Sequence, residues 1–153
     1  MKKTVSIKNK RARFEFEILD KYIAGIVLTG TEIKSIRNNK ASIVESFCEF
    51  NENEELFAVN MYIEEYSFGS QFNHRPRGSR KLLLNKKELK KLNNEIKKSG
   101  LTIVPLKLYI NDKGFAKMLI ALARGKKLYD KRQVKKTKDW NREKARLLSR
   151  NNR

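Results

Sequence analysis

The sequence predicts a mainly β fold with helices, a small antiparallel barrel of the OB type followed by a basic C-terminal tail, and three observations carry that expectation. Short runs of aromatic and branched residues recur along the chain, separated by polar turn signals. Only two stretches show capped helical periodicity, so most strands must be joined to their neighbours as antiparallel pairs rather than as parallel crossovers. Beyond Ala123 the apolar pattern stops, and Arg124 to Arg153 hold 13 Lys/Arg against 3 Asp/Glu. The expected organisation is a basic leader over 1–13, a barrel domain over 14–123 and a basic tail over 124–153.

The elements follow in order. Phe14, Phe16 and Ile18 alternate with Glu15 and Glu17, the period of a strand with one buried face. Gly25 precedes a second short run, Ile26-Val27-Leu28. Thr29 and Glu32 have capping-box spacing ahead of Ile33 and Ile36, which predicts a short helix from near Thr31. Ile43 to Phe50 and Leu56 to Ile63 flank Asn51-Glu52-Asn53-Glu54 and read as a hairpin. The stretch from Glu45 to Glu65 carries seven acids and no base, so its face is expected to point away from a polyanion.

Gly69 to Lys81 has Gly, Pro and Ser but no periodicity. A loop of this length in a compact domain is either functional or disordered, and both readings stand at this point. Asn85 and Glu88 repeat the cap spacing before Leu89, Leu92 and Ile96, a helix expected to end at Gly100. Its lysines, Lys86 to Lys98, read better as a solvated surface than as an RNA face. Leu101 to Ile110 and Phe115 to Ala123 are strands joined by Asn111-Asp112-Lys113-Gly114, a hairpin turn.

Charge narrows the function. With 36 Lys+Arg against 17 Asp+Glu in 153 residues, the net charge is +19, which favours an extended anionic partner, nucleic acid or an anionic membrane surface. The longest apolar run before the tail, Met118 to Ala123, is far too short to span a bilayer, and no signal-peptide pattern opens the chain. The expected location is cytoplasmic. Cys48 and His74 are the only cysteine and histidine, so no disulfide, thiolate zinc site or Cys/His dyad is available. No catalytic residue, metal or cofactor is expected. Cys48 sits in a strand pattern and reads as packing, whereas His74 is expected to touch RNA or its own backbone. Gly125-Lys126-Lys127 superficially matches a phosphate loop, but the position five before Gly125 is Ile120, so the Walker spacing fails. A turn whose backbone approaches a phosphate between two cations is the better reading.

On a helical wheel, Val134, Trp140, Ala145, Leu147 and Leu148 gather on one side of the tail, with Lys135, Lys136, Lys138, Arg142, Arg146 and Arg150 opposite. So thin a strip predicts a tail disordered when free and helical when bound. A solvated extension without a partner is the bland alternative; Trp140 weighs against it, because a base or a groove in folded RNA supplies the stacking surface a lone exposed Trp lacks.

Several blocks together resemble one family, the bacterial tmRNA-binding protein SmpB, or SsrA-binding protein. Asn9-Lys10-Arg11-Ala12-Arg13 resembles its NKRAR block, and Ala24-Gly25-Ile26 with Gly30-Thr31-Glu32-Ile33-Lys34-Ser35-Ile36-Arg37 its AGI and GxEVKSLR segments. Asn73-His74, Pro76 and Arg80-Lys81-Leu82-Leu83-Leu84 resemble NHxPxRxRKLLL, and Gly125-Lys126-Lys127 with Asp130-Lys131-Arg132 resembles GKKxxDKR. The resemblance implies a non-enzymatic OB-barrel protein of trans-translation. Such a protein binds the tRNA-like domain of tmRNA and brings it to stalled ribosomes, with elongation factor Tu expected in the delivery complex and a monomer as the expected state. By the same resemblance, Asn9, Lys10, Arg11, Arg13, Glu32, Lys34, His74, Arg80, Lys81, Gly125, Lys126 and Lys127 lie toward RNA. Asp130, Lys131, Arg132, Lys135, Lys136, Lys138, Trp140, Arg142 and Arg146 would enter the decoding centre and vacant mRNA channel, against rRNA. The chain departs from the family pattern at Ile23, where Glu is frequent, and at Arg75, where an acid follows the histidine; contacts of those two acids do not transfer. The rivals are a small RNA-modifying enzyme and a structural ribosomal or general RNA-binding OB protein.

Overall fold

A computed structural model describes residues 5–69, 71–98 and 100–126. The expectations attached to Lys127, Asp130, Lys131, Arg132, Lys135, Lys136, Lys138, Trp140, Arg142 and Arg146 lie outside the described residues. The elements are β1 (Ser6–Lys8), α1 (Ala12–Glu15), β2 (Phe16–Ile26), α2 (Gly30–Arg37), β3 (Ala41–Ser42), β4 (Phe47–Phe50), β5 (Leu56–Val59), β6 (Tyr62–Ile63), β7 (Arg80–Leu83), α3 (Lys86–Ile96), β8 (Leu101–Ile110) and β9 (Ala116–Gly125).

Antiparallel pairing runs β8-β4-β5-β7-β2-β9, and β9 pairs back onto β8. The sheet therefore closes on itself as a barrel, which removes the open edges of a flat sheet. β1 continues the edge of β8 past the short β4 contact, with Ile7 opposite Leu108, and β3 and β6 form a two-residue ribbon outside the ring. Ala24, Leu56, Ile63, Ile103, Leu108, Met118 and Ile120 are fully buried in the main core, which Ile36 of α2 and Leu92 of α3 complete.

Both helices begin where the cap spacing predicts. Thr29 Oγ1 accepts from the Glu32 amide while the Glu32 carboxylate accepts from the Thr29 amide, and Asn85 and Glu88 repeat the arrangement, so two otherwise orphaned N–H groups are satisfied at each start. α3 stops at Ile96, before Gly100, whose φ of +81° serves the turn into β8.

Four features differ from the sequence expectation. The two short strands expected around Phe14–Ile18 and Ile26–Leu28 are one 11-residue strand, β2. A bulge between Ile18 and Asp20 inverts its side-chain phase. Phe16 and Ile18 therefore join an outer cluster while Tyr22, Ala24 and Ile26 enter the barrel. The chain before it, where a strand was expected from Phe14, makes the helical turn α1. β7, inserted between β5 and β2, falls partly in the stretch read as loop; its RKLL sequence has too few residues to display a period. The expected hairpin strands are shorter, since residues 43–46 form a turn and Asn60, at φ 59°, breaks the second strand before β6.

From Val5 onward the basic leader is woven into the barrel. Val5 and Ala12 are buried, and Ala12 packs on an outer cluster with Val104, Leu106, Ala121 and Ala123. β9 likewise runs two residues past Ala123, with Gly125 opposite Phe16.

Candidate nucleic-acid interface

The chain ends of the barrel meet. The Lys126 amide donates to the Glu15 carbonyl at 2.9 Å and its ammonium to the Arg13 carbonyl at 2.9 Å, so the Gly125-Lys126 turn is docked on the last turn of α1. Two motif blocks 113 residues apart in sequence thus share one end of the barrel. Gly125 and Arg13 are exposed there.

Lys8, Lys10 and Arg11 continue from this point along a depression of about 470 Å³, whose far wall is Tyr62 of β6 and Arg77. Arg77 lies over the Tyr62 ring at 5.4 Å and pairs with Glu45 at 3.3 Å. Glu45, expected on a face turned from a polyanion, thus sits among cations. Lys34 projects from α2 with its ammonium 5.3 Å from the centre of the Tyr66 ring.

Three residues expected at the RNA face point inward instead. Arg80 is 3% exposed and Glu32 6%. Arg80 Nε donates to Glu32 Oε2 at 2.5 Å, and its terminal nitrogens donate to the carbonyls of Met61 (2.5 Å), Gly78 (2.7 Å), Arg75 (2.8 Å) and Pro76 (3.2 Å). The loop of residues 75–79 is wrapped around this guanidinium, and Glu32 joins it to the N-cap of α2 through its other oxygen, 2.9 Å from the Thr29 amide. The physical reason is donor geometry: a guanidinium offers five N–H groups in a fixed fork, enough to collect several carbonyls of a turn around one charge. Asn9 is the third. Its amide donates to Leu106, and its side chain to Pro105 (2.9 Å) and Ile43 (3.4 Å). It stitches the leader to β8, so its side chain has no donor left for RNA.

His74 is half-buried, and both of its ring nitrogens are taken up by protein partners. Nε2 lies 3.0 Å from the carbonyls of both Ile63 and Glu64, which only accept, so Nε2 carries a proton, and Nδ1 shares a hydrogen bond with Thr31 Oγ1 at 2.8 Å. The ring staples the start of α2 to the end of β6. Lys81 forms an ion pair with Glu55 and is about half buried, and this hydrogen bond holds the Glu55 carboxyl below its ordinary range. Cys48 is buried, and desolvation pushes its thiol far above its ordinary range, which leaves it without a reactive thiolate.

Sequence reasoning did not single out Thr31, which pairs with His74, or Arg77, which forms the far wall of the depression. Thr31 carried a signal, its place inside the Gly30 to Arg37 motif block, whereas Arg77 carried none beyond lying in the cationic loop.

The family model described as SmpB protein matches residues 6–150. The chain belongs to the SmpB family. Its relatives include the SsrA-binding proteins of Flavobacterium johnsoniae, 63% identical over 96% of this chain and 97% of that one, and of Christiangramia forsetii, 60% identical over 91% and 88%. The SsrA-binding protein of Brucella anthropi is 57% identical over 92% and 89%. A solved structure described as "tmRNA-SmpB: a journey to the center of the bacterial ribosome" contains a chain that matches at a TM-score of 0.68 and 50% identity, over 81% of this chain and 86% of that one. Measured against the SmpB motifs, the structure divides the blocks by role. The NKRAR block and Gly125-Lys126 meet at one rim, while the Glu of the GxE segment, the loop His and the Arg of RKLLL are bound to one another's elements.

Proposed function

We propose that this protein binds tmRNA and acts in trans-translation on the ribosome, the barrel contacting the tRNA-like domain and the tail entering the decoding region. The observation that carries the reading is the docking of Gly125-Lys126 onto Arg13, which joins the cations of both chain ends into one rim running through Arg11, Lys10 and Lys8 to Arg77. Lys34 of α2, over the Tyr66 ring, is a further cation assigned to RNA in this reading. Asn9, Glu32, His74 and Arg80 act as the frame that holds the rim and the loop in place. The function is non-enzymatic binding: His74 has both ring nitrogens engaged and the Cys48 thiol is buried. Work on the ribosome implies the cytoplasm.

The rim suggests about six phosphate contacts, from which log K should fall with log[salt] at a slope of roughly −4 to −5. Replacing Lys10, Arg11 and Arg13 together by Gln should flatten that slope by about 2 to 3. Binding to the tRNA-like domain that is independent of salt, or a triple variant with an unchanged slope, would overturn the assignment of this rim.

A further inference from the structure

We propose that Phe68, seated beside Tyr66 in the loop before β7, is a stacking platform for an unpaired RNA base. The inference rests on the RNA-binding reading and adds to it a contact to bases rather than to phosphates. Most exposed large apolar side chains of the described residues lie on strands or at their ends, where alternation turns some residues outward. Phe68, 87% exposed, and Phe72, 83% exposed, are the two most exposed of them and belong to the loop. No alternation requires a Phe at either place.

The loop that carries Phe68 is bracketed. Asn73 Oδ1 accepts from the amides of Tyr66 (3.2 Å) and His74 (3.1 Å), and its Nδ2 donates to the Tyr66 carbonyl at 2.8 Å. The Gly69 amide donates to the same carbonyl at 2.9 Å. A Cβ on Gly69 would fall 2.3 Å from Asn73 Nδ2 and 2.9 Å from Cγ, so the bracket closes only around glycine. Phe68 meets the Tyr66 ring edge-on, with centroids 5.7 Å apart and planes at 67°, and the Lys34 ammonium approaches Tyr66 at 5.3 Å. The contact seats Phe68 beside Tyr66, and most of its ring surface stays open to solvent. These hydrogen bonds hold the backbone on either side of Phe68, which lowers the ordering cost that stacking must offset.

An unpaired base fits this ledge better than a peptide. The chain's net charge of +19 attracts RNA and repels a basic peptide. Glu64 and Glu65, exposed on the same loop, disfavour a phosphate at the ledge itself but accept hydrogen bonds from the amino groups of base edges. Bases splayed from single-stranded loops are what aromatic side chains commonly recognise in RNA.

The test uses the full chain with two probes, the tRNA-like domain of tmRNA with its unpaired loops and a fully paired RNA duplex of the same length. Phe68→Ala should lose roughly 5- to 150-fold in affinity for the first, the size of one stacked base. It should keep its affinity for the duplex, its salt slope and its melting temperature, and Phe68→Tyr should bind like the parent. If Phe68→Ala binds both RNAs like the parent, or loses both equally, the platform is refuted while the salt-dependent rim stands. If the parent shows no salt-dependent binding to either RNA, the RNA-binding reading fails and the platform with it. Loss of binding to a lysine-rich peptide, with RNA binding intact, would reassign Phe68 to a protein partner and equally overturn the proposal.

Discussion

Arg80→Ala separates a residue that builds the interface from one that touches RNA. The substitution removes a guanidinium 3% exposed and strands a Glu32 carboxylate 6% exposed, together with the carbonyls of Met61, Arg75 and Gly78. Removing one partner of a buried, hydrogen-bonded pair costs about 3–5 kcal/mol, because the remaining charge stays desolvated. Against a total stability of about 5–15 kcal/mol this is a large fraction, and for a domain of this size it lowers the melting temperature by about 10–20 °C. Glu32→Ala should cost a similar amount. The double variant should cost clearly less than the sum, since it strands neither charge. Arg80→Lys should recover only part, because an ammonium cannot reach the four carbonyls and the carboxylate from one point. Thermal and urea unfolding followed by circular dichroism measure these differences. RNA binding of Arg80→Ala, below its melting temperature, should weaken through the displaced loop while its salt slope stays that of the parent. A cost under about 1 kcal/mol together with a slope flattened by about one phosphate would refute the reasoning and return Arg80 to the RNA face.

Three further outcomes are expected. Cys48 should fail to react with a thiol reagent such as DTNB in the native protein and react fully in urea, since burial raises its thiol above the ordinary range; rapid native labelling would show that β4 opens. Asp20 accepts from the Tyr22 hydroxyl at 3.0 Å, the leading reason its carboxyl titrates below the usual range, followed by the Lys21 amide and Lys91. The contact therefore stabilises the fold above the unfolded-state value and is lost as pH falls through the lower folded-state value, so the stability difference between parent and Asp20→Asn should shrink on acidification; a difference constant with pH would rule out this account. Truncation after Arg132 should leave tmRNA binding intact but abolish alanine transfer from charged tmRNA on stalled ribosomes, with Trp140→Ala intermediate; undiminished transfer by the truncated protein would make the tail a solvated extension.

Much was legible in the sequence because it depends on neighbours along the chain. Both capping boxes, the β8–β9 hairpin around Asn111–Gly114 and the antiparallel character follow from residues a few positions apart, and the cation surplus follows from counting. Tertiary structure alone decided which charges face outward. Glu32 and Arg80 are 48 residues apart, Thr31 and His74 43, Lys126 and Arg13 113. A charged side chain in a list of motif residues carries no sign of whether the folded chain will surround it with carbonyls or with water. The same distance hid β7, whose four residues become a strand only because β5 and β2 offer edges on either side. It hid the inward turn of Asn9 and the bulge that inverts β2, where long-range pairing overrides the local period. The sequence by itself determined a cationic antiparallel barrel with capped helices; long-range polar contacts, invisible to any local period, determined which of its polar motif residues form the frame and which form the face.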